Sequence, residues 1–237
     1  MILTSVSLTA CQLPFIKVIR GSGNLISETR EVSSFSKIRL DGTGRLFITQ
    51  GIDEFLEIEA EDNIIDELTS EVQGNTLVLG YQDKPWTTTV IPTNGITYTL
   101  TVTDLTGITF NGAGDLELSS LETSSLDVEI NGAGQVNIDA LKADSFSVHI
   151  AGTGTISVGG QVSSQDVIID GAGNYQAGDL ETVSTSIEIN GIGNGTVWAT
   201  DSLEINIDGG GTLNYYGTPS VTQDINGLGD INNRGEK

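Results

Sequence analysis

Carboxylates are the one class of side chain numerous enough here to do chemistry. Asp127, Asp166 and Glu204 stand five places before the first glycine of a recurring Gly-x-Gly pair, and Glu129, Glu188 and Asp224 stand three places before it. If those pairs mark neighbouring strands, the carboxylates lie about 5 Å apart in rows. Such rows admit three readings: a weak Ca²⁺ site, a contact for a cationic partner, or a solvated face that keeps the chain soluble. The calcium-roll nonapeptide is absent, since Gly209-Gly210-Gly211 is not followed by its Asp. Glycan hydrolysis needs clustered acids, and no Asp-Asp pair occurs. His149 is followed by Ile150, not by the Gly of a Gly-His-Gly motif, and it reads as a surface side chain beside Glu129. Lyase chemistry needs a basic group, yet between Leu46 and Asn233 only Lys84 and Lys142 are basic. The glycine pairs are no phosphate cradle, because no Gly-Lys-Ser/Thr follows and strands, not helices, come next. These residues therefore imply no catalytic group and no cofactor.

Composition narrows the classes further. The 237 residues carry 32 Asp+Glu against 10 Lys+Arg, a formal net charge of −22. That charge repels phosphate backbones and excludes nucleic acid as a partner. One Cys cannot make an internal disulfide or a Cys-based zinc site. One His excludes multi-His metal centres.

The sole cysteine has its own reading. Met1 to Ala10 is apolar or small, too short to span a bilayer at about 20 residues. Leu8-Thr9-Ala10-Cys11 resembles a bacterial lipobox. Residues 1–11 then read as a signal-peptide remnant cleaved before Cys11, although the basic n-region is missing. Residues 12–20 read as a tether, and the partner of the acylated Cys11 is the membrane.

The elements that position these residues follow from a repeat. Gly-x-Gly recurs at Gly112/Gly114, Gly132/Gly134, Gly152/Gly154, Gly171/Gly173, Gly191/Gly193, Gly209/Gly211 and Gly227/Gly229, every 18 to 20 residues. Gly42/Gly44 and Gly21/Gly23 extend the series upstream. Two places before each first glycine stand Phe110, Ile130, Ile150, Ile169, Ile189, Ile207 and Ile225, with Leu40 and Ile19 upstream. Apolar and polar residues alternate on both sides of the pair, which is the period of half-buried strands. Units of about 20 residues cannot bury an apolar face alone, so they stack. The fold expected is all-β: a single-stranded right-handed parallel β-helix over residues 21–237, one repeat per coil. Both glycines of each pair are read as turn residues, supplying corners through positive φ or close backbone approach. Before them stand Asp41, Asn111, Asn131, Ala151, Asp170, Asn190, Asp208 and Asn226. The Asn and Asp residues among these are read as turn residues able to form hydrogen-bonded ladders.

An insertion over about 50–104 interrupts the pattern. Phe55, Ile58, Leu77 and Leu79 look strand-like. Asp62 to Gln73 has helical spacing, with Asp62 as N-cap and Gly74 past the end. Gln82 to Gly95, with Pro85, Trp86 and Pro92, reads as a long loop. Ile96, Tyr98, Leu100 and Val102 alternate with threonines and re-enter the stack. The helix or the loop is expected to cover a solenoid end or to insert laterally.

Ser33 to Gly44 (with Phe35-Ser36-Lys37-Ile38-Arg39-Leu40-Asp41-Gly42), Leu56 to Asn63, Gly74 to Leu79 and Gly209 to Pro219 resemble the head GIN domain family of auto-transporter adhesins. The resemblance spans about Gly21 to Asn232. It implies an exported, often lipid-anchored, protein of the bacterial envelope, and it brings no catalytic residue. The expectation is a non-catalytic surface or periplasmic binding or scaffolding module that meets a glycan or a surface protein. A carbohydrate-active β-helix enzyme and a cation-binding envelope stabiliser are the alternatives. The oligomeric state is not encoded in any of these features.

Overall fold

A computed structural model describes residues 17–82 and 88–237. Strands stack in parallel, one coil above another, through most of that length. Ile108–Phe110 lies above Ile38–Leu40 and below Val128–Ile130. Ala113–Leu118 likewise lies between Thr43–Ile48 and Ala133–Ile138. From Ala133 to Ile207 each strand runs through nearly a whole coil, as in Ala133–Ile150, Thr153–Ile169 and Ala172–Ile189. Register irregularities mark the bend, for example between Ile138 and Leu141.

Like stacks on like, so the core is a set of columns. Ile130, Ile150 and Ile169 are in direct register, and all three are fully buried. Each such side chain adds about 1.5–3 kcal/mol of transfer free energy. One column alternates large with small: Tyr175 is buried directly beside Gly195 in the next coil. A Cβ on Gly195 would sit 2.7 Å from Leu213 Cδ1, so the glycine gives way to its larger neighbours.

At the corners from Gly132 to Gly193 the two glycines do different jobs. A Cβ on the first would strike the backbone of the coil below: 2.0 Å from Gly112 O for Gly132, and 2.0 Å from Gly132 O for Gly152. Close approach, not positive φ, is thus what the corners from Gly112 to Gly229 require, since none of these glycines has a positive φ. The second glycine departs from the turn role expected of it. Gly154, Gly173 and Gly193 are not turn residues. Each is the second residue of a strand, paired in register with its neighbours and buried. The turn is confined to the first glycine and the residue before it. The reason is packing: position 2 of the strand points inward, where the isoleucines of the core column already fill the space. A Cβ would sit 2.8 Å from Ile130 Cδ1 at Gly154 and 2.9 Å from Ile169 Cγ2 at Gly173. At Gly193 it would sit 3.0 Å from both Ile169 Cγ2 and Gly173 O. Among the described residues the corners stack from Gly42/Gly44 to Gly227/Gly229.

The N-terminal part departs from expectation in four further places. Gly21/Gly23 forms no corner: Gly21 donates to Ile91 O, and Leu25–Arg30 runs antiparallel to Phe55–Glu61. Ile19 accordingly pairs with Val90 and joins no column. The tether expected over 12–20 gives way at Lys17, because Lys17–Arg20 is a strand beside Thr88–Ile91. That second strand also replaces part of the loop expected over 82–95, while Lys84, Pro85 and Trp86 lie outside the described residues. The helix expected over 62–73 is a single 3-10 turn, Ile65–Glu67, whose preceding residue Ile64 makes no side-chain cap. Leu68–Gln73 continues as a strand antiparallel to Thr76–Tyr81. Gly74 turns this hairpin at φ 67°, the first central position where a two-residue turn demands glycine.

The insertion is a floor for the solenoid. Thr76–Tyr81 and Thr97–Val102 lie parallel beneath Lys37–Leu40 and Thr43–Gln50, as one more coil. Below them the pairing turns antiparallel, and Leu56, Ile58, Ile64, Ile65 and Leu68 close the core. The cover is made of strands, which satisfies the stack's lower edge with hydrogen bonds. At the other end burial fades, with Ile225 and Leu228 exposed.

Among the described residues Glu61, Gln165, Thr182 and Thr185 are polar yet buried. Gln165 is 3% exposed, stacked between Phe146 and Thr185, and both its amide oxygen and its nitrogen lack a partner among the described residues. A buried amide without partners costs about 1–3 kcal/mol. Gln165→Leu, nearly isosteric, is expected to raise stability by about 1–2 kcal/mol in urea or thermal melts. A lower melting temperature would contradict this account.

Candidate functional site

The corner residues form the expected ladder. Asn111 Nδ2 donates to Asp41 Oδ1 at 2.7 Å, and Asn131 Nδ2 to Asn111 Oδ1 at 3.0 Å. Asn190 donates to Asp170 at 2.9 Å, and Asn226 to Asp208 at 3.0 Å. Ala151 interrupts the run, and His149 fills the gap: its Nε2 lies 2.8 Å from Asp170 Oδ2. Hydrogen bonds from Asn190 and then His149 hold the Asp170 carboxyl below its ordinary pKa. The ladder is satisfied within itself, so it reads as structure.

The carboxylate rows are present but interleaved. Asp127, Asp166 and Glu204 share a column in which Ser147 and Ser186 separate them. Glu129, Glu188 and Asp224 share the other, separated by His149, Ile168 and Asn206. None of these six faces another of them on an adjacent coil in the same column, because like charges directly opposite are unfavourable. The 5 Å row expected from spacing alone is therefore not formed. Among the described residues no group of three or more His, Cys, Asp or Glu is placed to hold a metal ion. Cys11 lies outside the described residues.

Among the described residues one carboxylate-bearing residue, Glu61, is buried. Glu61 is 1% exposed and accepts from the backbone N–H groups of Gly23 and Thr93, each at 2.8 Å, and from the Thr93 hydroxyl. The Thr93 hydroxyl bond, outweighing burial, lowers its pKa, and the N–H groups of Thr93, Gly23 and Asn94 add to this. Its acceptors are all engaged, so Glu61 is a latch tying the N-terminal segment to the 92–95 turn. A depressed folded-state pKa gives stability that is present above the unfolded value of 4.5 and lost as pH falls below it. Glu61→Gln should therefore melt lower than wild type at pH 7, and the gap should narrow toward pH 3. A gap that stays constant would show that the carboxylate's charge is not what holds the segment.

The sequence reading passed over the face that follows each corner. One place past the second glycine stand Gln135, Thr155, Asn174, Asn194 and Thr212, stacked in register. Three places past stand Asn137, Ser157, Gln176, Thr196 and Asn214, also in register. None of the ten is charged. The signal is legible as alternating positions that carry no Asp or Glu from Gln135 to Asn214, although Asp115 and Glu117 below and Asp230 above bound the stretch in the same register. A shallow groove of about 400 Å³ runs along this face past Gln135, Thr155 and Asn174, with Thr153, Ala172 and Ile192 on its other side. Through Gly134 and Gln135 it continues into a groove of about 880 Å³ beside Thr43, Asn94 and Thr97. Arg45 and Asp115, 3.9 Å apart, mark that end. At the far end Trp198 pairs in register with Tyr216, and Lys237 Nζ sits 5.4 and 5.3 Å from their ring centroids.

Comparison with known proteins agrees with this geometry. The family described as "Putative auto-transporter adhesin, head GIN domain" matches residues 34–219. A crystal structure named as a putative adhesin, from Bacteroides fragilis NCTC 9343, is 30% identical, with a TM-score of 0.85 over 91% of this chain and 99% of that one. One from Parabacteroides distasonis ATCC 8503, named as a putative lipid binding protein, is 24% identical with a TM-score of 0.75, covering 92% and 99%. A putative adhesin from Parabacteroides merdae ATCC 43184 is 19% identical with a TM-score of 0.70, covering 92% and 99%. The last two share the fold. No curated protein matches the chain.

Proposed function

The chain belongs to the head GIN domain family, and on that footing we propose that it is a non-catalytic binding module of the bacterial cell envelope, lipid-anchored through Cys11. The family match over residues 34–219 carries this reading, since an adhesin-type family suggests an exported protein that binds. The geometry supports it. The core is packed with side chains, and the grooves are shallow and open to water on an exposed sheet. Acid–base catalysis needs paired groups with pKa values pushed apart in a water-excluding site. Here the outward carboxylates lie on an open ribbed face. Glu61, the buried one, is saturated by its partners.

Two measurements test the proposal together. Mass spectrometry of the native N-terminus should find an acylated Cys11 as the first residue, and unmodified Cys11 following intact Met1 would remove the anchor. Arrays of glycans and surface proteins should retain the domain with every arrayed compound unchanged in mass. Conversion of any of them would make the enzyme reading correct.

A further inference from the structure

We propose that the uncharged face from Gln135 to Asn214 binds a neutral polysaccharide lying along the solenoid axis. The proposal rests on the binding-module reading and names its ligand class. Charge is the first reason. In a chain of net charge −22, ten stacked outward residues without a charge form a surface apart. The acidic body disfavours uronates, phosphates and sulfates, and the face itself offers no carboxylate to anchor a basic protein. A protein partner would also need an apolar buried centre, whereas this face offers amides and hydroxyls.

The second reason is that most of these groups are free, Asn137, Asn194 and Asn214 being engaged by Asp139, the Thr212 N–H and Arg234. Gln135, Thr155, Ser157, Asn174, Gln176 and Thr196 make no side-chain hydrogen bond among the described residues. The corner ladder, built of the same residue types, bonds to itself. Each free amide offers donors and an acceptor together, and each hydroxyl offers both roles. Sugar hydroxyls need that same combination. A site built to bond hydroxyls also discriminates well, because a ligand lacking them leaves its polar groups unpaired.

Shape is the third reason. The groove follows the axis, and equivalent groups recur at the strand spacing of about 4.8 Å. That is close to the length of one pyranose ring in an extended chain, so successive sugars meet successive coils. Ile192, 75% exposed, gives an apolar wall for ring C–H groups.

The test uses the full chain. Binding is measured by co-sedimentation with cellulose, chitin and β-1,3-glucan, and by affinity electrophoresis in xylan, mannan and polygalacturonate. Two triple variants accompany wild type: Gln135→Ala/Asn174→Ala/Gln176→Ala on the neutral face, and Asp127→Ala/Asp166→Ala/Glu204→Ala on the acidic one. All six side chains face solvent, and equal melting temperatures confirm the fold. Thr155→Val serves as a gentler further variant. At least one neutral polysaccharide should be retained and polygalacturonate should not. The neutral-face triple should lose about tenfold or more in affinity, Thr155→Val should lose less, and the acidic triple should bind as wild type does. The proposal is overturned by retention of no neutral polysaccharide, by an unaffected neutral-face triple, or by loss that follows the acidic triple. Retention of arrayed surface proteins alone would sink this inference and leave the binding-module reading standing. Cleavage of a polysaccharide would sink that reading itself.

Discussion

Gly152→Ala is expected to cost about 4 kcal/mol or more, enough to unfold much of the protein at moderate temperature. The new methyl carbon would sit 2.0 Å from Gly132 O and 2.5 Å from Asn131 O. Both are backbone atoms of the coil below, fixed by their own ladder bonds, as in Gly152 N–H to Ile130 O at 2.9 Å and Thr153 N–H to Gly132 O at 2.9 Å. No rotamer change relieves the contact. The coils must part, and parting them breaks hydrogen bonds on both sides. Gly95→Ala is the control, since nothing lies within 4 Å of a Cβ there. It should change stability by no more than about 0.5 kcal/mol. Urea midpoints of the two variants check the contrast. A Gly152→Ala protein as stable as wild type would mean that the coils are not stacked in this register.

The second glycine of a corner should behave differently. Gly154→Ala alone is expected to cost about 1–3 kcal/mol through overpacking, because its Cβ meets Ile130 Cδ1 at 2.8 Å. Ile130→Val alone should cost about 0.5–1.5 kcal/mol as a lost methylene. Together they should cost clearly less than the sum, since valine removes the very atom that clashes. The coupling is expected to be about 1 kcal/mol in the favourable sense. Pairing Gly152→Ala with Ile130→Val should give no rescue, because that clash is with backbone. Additivity in the Gly154 pair would contradict the division of labour between the two glycines.

That division explains what could be read from the chain. The columns were legible because a solenoid repeats one environment: isoleucine two places before each corner is buried from Ile130 to Ile207. The Asn/Asp ladder followed from turn chemistry, and the structure adds only His149 filling the gap at Ala151. The glycine spacing was equally plain, but it could not separate a turn glycine from a strand glycine. Gly171 and Gly173 look alike in sequence, and only the neighbouring coil shows that one meets backbone and the other meets isoleucine. Where the repeat stops, local signals misled. Ile64, Ile65, Leu68 and Val72 have helical spacing, yet an isolated helix of a dozen residues is marginal. The same segment gains a full ladder by pairing Leu68–Gln73 with Thr76–Tyr81 around Gly74. Gly21/Gly23 matched the motif but had no column partners, and Gly21 instead packs against the Glu61 carboxylate. For the site, the acidic positions attracted notice because charge stands out. Their alternation with Ser147, His149, Ile168 and Ser186 becomes meaningful only when coils are laid in register. The neutral face was visible only as a lack of charge, and its importance lies in side chains left without partners among the described residues.

We propose that this solenoid binds without converting what it binds. The direct measurement is mass spectrometry of neutral oligosaccharides incubated with the protein, then eluted from it and compared with the supernatant. Enrichment in the eluate is expected, with loss of that enrichment in the Gln135→Ala/Asn174→Ala/Gln176→Ala variant and identical masses before and after. Shortened or unsaturated products that accumulate with time would contradict this proposal.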